Sequence, residues 1–162
     1  MKKIILPIIG LLLLVLNSIA QVPVKYIKSD KYEGVIFSRP SFIRIEDRSK
    51  PLYVPSEEDI AKMEKLLSGP TGKSFLLLNN RDPNYQYPCD LVNSLPKYKR
   101  YYFGNRMKNE KIIEVYLFKN APINRDWKKG LFYIEDGGCD YFSIIYSVKS
   151  GSFLKLNIGS FS

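Results

Sequence analysis

Residues 98–118, YKRYYFGNRMKNEKIIEVYLF, contain two runs rich in aromatic and β-branched side chains on either side of a polar centre. Residues 98–104 and 111–118 have the composition of β-strands, and residues 105–109 have that of a turn. The stretch therefore predicts two long strands joined as an antiparallel hairpin.

Further strands are expected after this hairpin. Residues 131–134 are strand-like and precede the turn signal Asp136-Gly137-Gly138. In residues 141–148 every second side chain is apolar, and residues 154–158 repeat that period after the tight-turn signal Ser150-Gly151. Consecutive strands in hairpin order predict an antiparallel meander.

The N-terminal half supplies shorter strands and one helix. Residues 32–37 and 42–45 are strand-like, with a breaker at residues 39–41. Ser56 is a good helix N-cap, and three acidic residues follow it at the positive end of the helix dipole. Apolar side chains then recur at helical spacing until Gly69-Pro70 ends the helix: Ile60, Met63 and Leu67.

These elements predict an α+β fold in which one amphipathic helix packs on one face of a curved antiparallel sheet. No linker divides residues 21–162, so we expect a single domain. The layout resembles that of cystatin-like and NTF2-like domains. Such a layout carries many different functions and implies none of them.

Residues 1–20 have the three regions of a secretory signal peptide. Lys2 and Lys3 precede an apolar run at residues 4–16, and Ser18 and Ala20 are the small residues that a signal peptidase reads. The run is shorter than the roughly 20 residues that a membrane-spanning helix needs. We therefore expect cleavage after Ala20, no membrane span in the mature chain, and export to the periplasm or beyond the cell.

The net charge indicates which class of partner the exported chain binds. The sequence has 25 Lys and Arg against 16 Asp and Glu, and removal of Lys2 and Lys3 with the signal leaves 23 against 16, a net charge of +7. In an extracytoplasmic location the expected partners are acidic glycans, lipopolysaccharide phosphates or an acidic envelope or extracellular protein, not nucleic acid. Alternatively, the charge only keeps the protein soluble.

The two cysteines and the absence of histidine limit the chemistry. In an oxidising compartment Cys89 and Cys139 are expected to form a disulfide. Without histidine, no Ser-His-Asp or Cys-His nucleophile system can form. Two cysteines do not supply a structural zinc site, and we expect no metal site and no cofactor.

The densest basic and aromatic stretch is the candidate binding surface. Alternation along a strand places Lys97, Lys99 and Tyr101 on one side and Arg100 and Tyr102 on the other. Cations between aromatic rings suit sugars, phosphates or other polyanions, and the single tryptophan, Trp127, is a candidate to join them. Alternatively, the basic side chains only protect an exposed strand from aggregation, and Trp127 fills the core.

A carboxylate cluster offers an enzymatic alternative. Glu135, Asp136 and Asp140 surround one turn, and carboxylate pairs catalyse the hydrolysis of glycosides. Asp-Gly-Gly is also ordinary turn chemistry. The leading hypothesis is a non-enzymatic exported module that binds or inhibits an envelope or extracellular partner. A carboxylate-based glycan or cell-wall hydrolase and an immunity-type or assembly partner protein are the alternatives.

The C-terminal part of the chain resembles small, uncharacterised exported bacterial proteins. The resemblance covers about the last 65 residues and rests on residues 98–104 and 111–113, on Trp127, and on residues 136–138, 141–142 and 153–156. It implies export but no activity, and it assigns no functional residue.

Overall fold

Six strands form one sheet in which the order along the chain is also the order in space. The structure is a computed structural model that describes residues 24–38, 53–80, 89–121, 123, 126–132 and 137–159. Neighbouring strands are antiparallel except β2 and β3, which are parallel. The strands are β1 (Val24–Lys28), β2 (Glu33–Phe37), β3 (Lys99–Met107), β4 (Glu110–Phe118), β5 (Tyr141–Ser147) and β6 (Ser152–Ile158).

The helices lie between β2 and β3 in the chain. They are α1 (Glu57–Ser68), α2 (Pro70–Asn79) and the single-turn α3 (Leu91–Ser94), and α3 continues into a 3₁₀ turn, Leu95–Lys97. The predicted α1 is confirmed, with the Ser56 hydroxyl accepting the backbone N–H of Asp59 at 3.1 Å. The expectation of one helix is corrected, because Pro70 ends α1 and also occupies the first position of α2, where no backbone N–H is needed.

The C-terminal meander is confirmed as the strand order β3-β4-β5-β6. The first hairpin is longer than predicted: β3 extends to Met107, and only Lys108 and Asn109 form the turn, both with positive φ. Gly151, with φ of +61°, is in the turn between β5 and β6, as expected from its conformational freedom.

Three strand predictions have other outcomes. The strand at residues 32–37 is confirmed as β2, while β1 was not predicted. The strand expected at residues 42–45 lies outside the described residues. In the strand expected at residues 131–134, Leu131 and Phe132 have no strand structure, and residues 133–134 lie outside the described ones.

Both faces of the sheet carry buried side chains. On one face α1 contributes Ile60, Met63 and Leu67 to a core that also contains alternate residues of the strands, such as Tyr102 and Ile144. On the other face an aromatic cluster packs beneath the segment that follows β4; its buried members are Val35, Phe37, Tyr101, Phe103, Tyr116, Phe118, Trp127, Phe132 and Tyr141. The second covered face was not predicted.

The Cys89–Cys139 disulfide is confirmed, with the two Cα atoms 5.3 Å apart. It ties the start of α3 to the 3₁₀ turn Gly138–Asp140, which precedes β5. The buried Asn80 side chain holds the same region by hydrogen bonds with the backbone N–H and carbonyl of Cys89. In the part of the chain that the structure describes, no helix has the length and apolar character that crossing a membrane requires.

Candidate functional site

Strand β3 divides the predicted binding residues between the two faces of the sheet. Lys99 and Tyr101 lie on the side of the aromatic cluster, whereas Arg100 and Tyr102 point toward α1. Arg100, Tyr101 and Tyr102 are at most 1% exposed. They therefore do not form the exposed surface that was predicted, because a layer of structure covers each face of β3; of the three, Arg100 also lines an open groove.

Two of the candidate binding residues, Lys99 and Trp127, lie close together. The Lys99 ammonium lies 5.3 Å from the centroid of the Trp127 ring, and that of Lys128 lies 5.7 Å from it. Lys128 also lies 4.5 Å from the ring centroid of Tyr26, which meets Trp127 edge-on at 5.9 Å. We call Tyr26, Lys99, Trp127 and Lys128 the Trp127 surface.

The indole of Trp127 serves as a support for this surface. Trp127 is only 7% exposed and packs edge-on against Phe118 at 5.8 Å. The Tyr101 hydroxyl donates to the backbone carbonyl of Trp127 at 3.1 Å and so holds the segment against the sheet. The indole therefore offers little free ring face to a sugar, and the lysines on it supply the accessible chemistry.

The lysines of the Trp127 surface are available to an external anion. Within the described ranges, neither Lys99 nor Lys128 forms an ion pair, and neither does the exposed Lys97 at the end of the 3₁₀ turn. The nearby Asp126 is paired with Lys129 at 3.3 Å. The backbone N–H of Lys128 lowers the pKa of Asp126, so this carboxylate remains charged and is already engaged.

One further carboxylate borders the surface. The Tyr26 hydroxyl donates to Glu33 Oε2 at 2.8 Å, and this hydrogen bond raises the pKa of Tyr26. Glu33 thereby orients the Tyr26 ring beneath Lys128. The surface as a whole keeps an excess of positive charge.

The other half of the predicted set forms a buried polar network with Glu64 of α1. Glu64 Oε1 accepts from Arg100 Nε and from the Tyr102 hydroxyl, each at 2.9 Å. Arg100 also donates through Nη1 to the carbonyl of Tyr98 and through Nη2 to that of Leu95, the latter at 3.3 Å. Burial raises the pKa of Glu64, and the Arg100 charge and the two hydrogen bonds act against this effect.

The network lies at the base of an open groove of about 580 Å³. The groove runs between the β1–β2 turn, α1 and the 3₁₀ turn after α3, and we call it the Glu64 groove. Its lining residues are Ser29, Asp30, Lys31, Tyr32, Ala61, Glu64, Lys65, Ser68, Leu95, Pro96 and Arg100. A cleft with convergent charged groups is where small ligands bind in most proteins.

Sequence reasoning missed Glu64, although a signal was present. Glu64 follows Ile60 by four residues and precedes Leu67 by three, so helical spacing places it on the buried face of α1. A charged residue on an apolar helix face needs a buried partner of opposite charge. Arg100, which lies on the same side of β3 as Tyr102, is that partner.

Of the predicted carboxylate cluster, Asp140 lies among the described residues. Asp140 accepts Lys119 Nζ at 2.8 Å through Oδ1 and the Asn120 side chain at 3.3 Å through Oδ2. Glu135 and Asp136 lie outside the described residues. Among the residues that are described, no three Cys, Asp or Glu side chains are grouped so that they could hold a metal ion.

Comparison of the chain with protein-family models, with curated proteins and with solved structures finds no match. The resemblance to small exported bacterial proteins therefore stays a prediction.

Proposed function

We propose that the protein is an exported, non-enzymatic binding module that recognises an acidic glycan or an acidic envelope or extracellular protein through the Trp127 surface. The observation that carries this proposal is the convergence of Lys99 and Lys128 on one buried indole, with no ion pair to either lysine in the described ranges. The disulfide supports export, since such bonds persist in oxidising compartments.

The geometry favours anion binding for a physical reason. A lysine side chain in free solution loses rotamer entropy of up to roughly 2 kcal/mol when an anion fixes it. Contact with the Trp127 ring already restricts Lys99 and Lys128, and cation–π attraction stabilises this arrangement. An acidic partner therefore meets two cations that are held close together.

Charge reversal tests the proposal. We expect the double variant Lys99→Glu/Lys128→Glu to elute from a dextran sulfate column at much lower salt than the wild-type protein. The matched control is Lys73→Glu/Lys155→Glu, which changes the net charge equally at two exposed lysines on α2 and β6. The control should keep most of the retention, because a local site and not the net charge binds the polymer.

Equal losses in the two double variants would show that retention follows the net charge alone, and the proposal would be wrong. Unchanged retention of Lys99→Glu/Lys128→Glu would also contradict it. Thermal unfolding of each variant, followed by circular dichroism, ensures that only folded proteins are compared.

A further inference from the structure

The Glu64 groove lies on the helix side of the sheet and takes no part in the proposed function of the Trp127 surface. Its volume of about 580 Å³ is that of a site for a small organic molecule. Tyr32, Leu95 and Pro96 provide apolar wall surface, and the Glu64–Arg100 pair forms its base. The groove therefore combines apolar walls with a charged end.

Arg100 retains hydrogen-bonding capacity. A guanidinium has five N–H groups, and three are used: Nε–H with Glu64, one on Nη1 with the Tyr98 carbonyl, and one on Nη2 with the Leu95 carbonyl. One N–H on each Nη atom thus has no acceptor among the residues that the structure describes. The Tyr32 ring, 5.8 Å from Arg100 Cζ, helps to fix the guanidinium plane.

The charges around the groove favour an anion. Three cations line it, namely Lys31, Lys65 and Arg100, against the two acids Asp30 and Glu64. Glu64 and Arg100, 2.9 Å apart, neutralise each other, so the excess positive charge comes from Lys31 and Lys65 against Asp30. Lys31 and Lys65 are exposed at the rim, and neither has an ion pair in the described part of the chain.

The serine hydroxyls that line the groove form hydrogen bonds within the protein and are not available to a ligand. Ser29 Oγ accepts the backbone N–H groups of Lys31 and Tyr32, each at 3.2 Å, which shapes the β1–β2 turn. Ser68 Oγ donates to the carbonyl of Glu64 at 2.9 Å. The groups that remain to bind the polar end of a ligand are therefore the Arg100 guanidinium and the ammonium groups of Lys31 and Lys65.

We propose that the Glu64 groove binds a small organic carboxylate, with its carboxylate against Arg100 between Lys31 and Lys65 and its apolar body against Tyr32, Leu95 and Pro96. The groups that line the groove match such a ligand at both ends. A neutral amide of the same shape offers the guanidinium one uncharged acceptor oxygen in place of the two charged oxygens of a carboxylate, and this difference gives the site its specificity.

Matched pairs of ligands test this proposal. Hexanoate, 4-phenylbutyrate and 2-naphthoate are each compared with the corresponding primary amide by titration of ¹⁵N-labelled protein. We expect at least one carboxylate to bind about tenfold or more tightly than its amide, since a hydrogen bond to a charged group contributes about 1.5–3 kcal/mol. The shifted amide signals should come from residues of the β1–β2 turn, α1 and the 3₁₀ turn.

Variants locate the binding site. Lys31→Ala and Lys65→Ala should each weaken carboxylate binding about two- to fivefold, as expected for partly exposed ion pairs, whereas the control Lys155→Ala on β6 should not. The double variant Glu64→Leu/Arg100→Met removes both charges of the pair and so leaves no unpaired buried ion. In this variant the preference for carboxylate over amide should fall severalfold, to the part that Lys31 and Lys65 supply.

Three results would overturn the proposal. The first is the absence of binding by all three carboxylates up to about 10 mM, a concentration that exceeds the Kd of any useful site. The second is equal affinity for acids and amides. The third is a set of signal shifts that lie on the opposite face of the sheet. The first two results do not bear on the Trp127 surface, and shifts on the opposite face would agree with anion binding there, so the failure of this proposal does not entail the failure of the other.

Discussion

The buried pair of Glu64 and Arg100 allows a quantitative test of what joins α1 to the sheet. Glu64 Oε1 and Arg100 Nε are 2.9 Å apart, and the two side chains are 4% and 1% exposed. Arg100→Met removes the cation but keeps an unbranched side chain in its place. Among the described residues, Glu64 then retains the Tyr102 hydroxyl as its one side-chain donor.

The expected cost follows from this geometry. Removing one partner of a buried ion pair leaves an uncompensated charge, which lowers the free energy of unfolding by about 3–5 kcal/mol. Glu64→Leu should cost a similar amount, because it strands the Arg100 guanidinium. Removing both charges together avoids that penalty, so the double variant Glu64→Leu/Arg100→Met should be within about 2 kcal/mol of the wild-type protein. The remaining difference reflects the Tyr102 hydroxyl, which loses its acceptor.

Urea unfolding of the four proteins at neutral pH, with the disulfide intact, measures the effect as a double-mutant cycle. The coupling free energy between Glu64 and Arg100 should be about 3 kcal/mol or more. If each single variant lost less than about 1 kcal/mol, or if the two losses added to within about 0.5 kcal/mol, the pair would not join α1 to the sheet and the reasoning would be wrong.

Three other changes have defined outcomes. Cys89→Ala/Cys139→Ala should lower the free energy of unfolding by about 4 kcal/mol, measured by urea titration, because it opens a loop with a sequence separation of 50. Gly104→Ala should lower the thermal midpoint and cost about 1–3 kcal/mol, since an added Cβ lies 1.9 Å from the backbone oxygen of Tyr53; a wild-type midpoint would contradict this. Burial raises the pKa of Asp59, but the hydrogen bonds that its carboxylate accepts outweigh this effect, and the pKa lies below its ordinary value of 3.8. Asp59→Asn should therefore lower the urea midpoint at pH 7, and the difference from wild type should shrink as the pH falls from the ordinary pKa of the carboxyl through the lowered pKa of the folded state.

The parts of the fold that were predicted depend on local patterns. The Ser56 cap and the spacing of Ile60 and Met63 determine α1, and the confirmed side-chain hydrogen bond of Ser56 shows why the helix begins there. The alternation of β5 and the turn at Gly151 likewise predict the last hairpin. Each of these signals lies within a few residues of the structure that it specifies.

The parts that were missed depend on distant partners. The sequence places Tyr101 and Tyr102 on opposite sides of β3 but does not show that both sides are covered, since the covering layers come from α1 and from the segment that contains Trp127. A strand that is buried on both faces has a continuous apolar run instead of an alternating pattern. In β3 this run is only Tyr101–Phe103 and follows two cations, so it is too short to show that both faces are covered. For this reason the predicted binding surface included Arg100, Tyr101 and Tyr102, which are buried.

Strand β1 was missed for a related reason. Its five residues, Val24–Lys28, include two lysines and offer no long apolar run. The strand is formed through its pairing with β2, in which Tyr26 lies opposite Val35. Only the tertiary structure shows that Tyr26 then reaches Trp127 and Lys128.

The adjacent residues Lys99 and Arg100 lie on opposite faces of β3, in the two sites that we propose. Lys99 lies on an indole without a carboxylate partner in the described ranges, while Arg100 is buried against Glu64 on the other face. The backbone of the sheet and the side chains packed on both of its faces lie between the two cations, so that the solvent near one cation does not reach the other. Packed layers are about 10 Å apart, which is near the screening length at physiological salt, so an anion on one face interacts weakly with the cation on the other. Because of this separation, reversing the charge of Lys99 should leave the Glu64 groove intact, and occupancy of the groove should leave the Trp127 surface free.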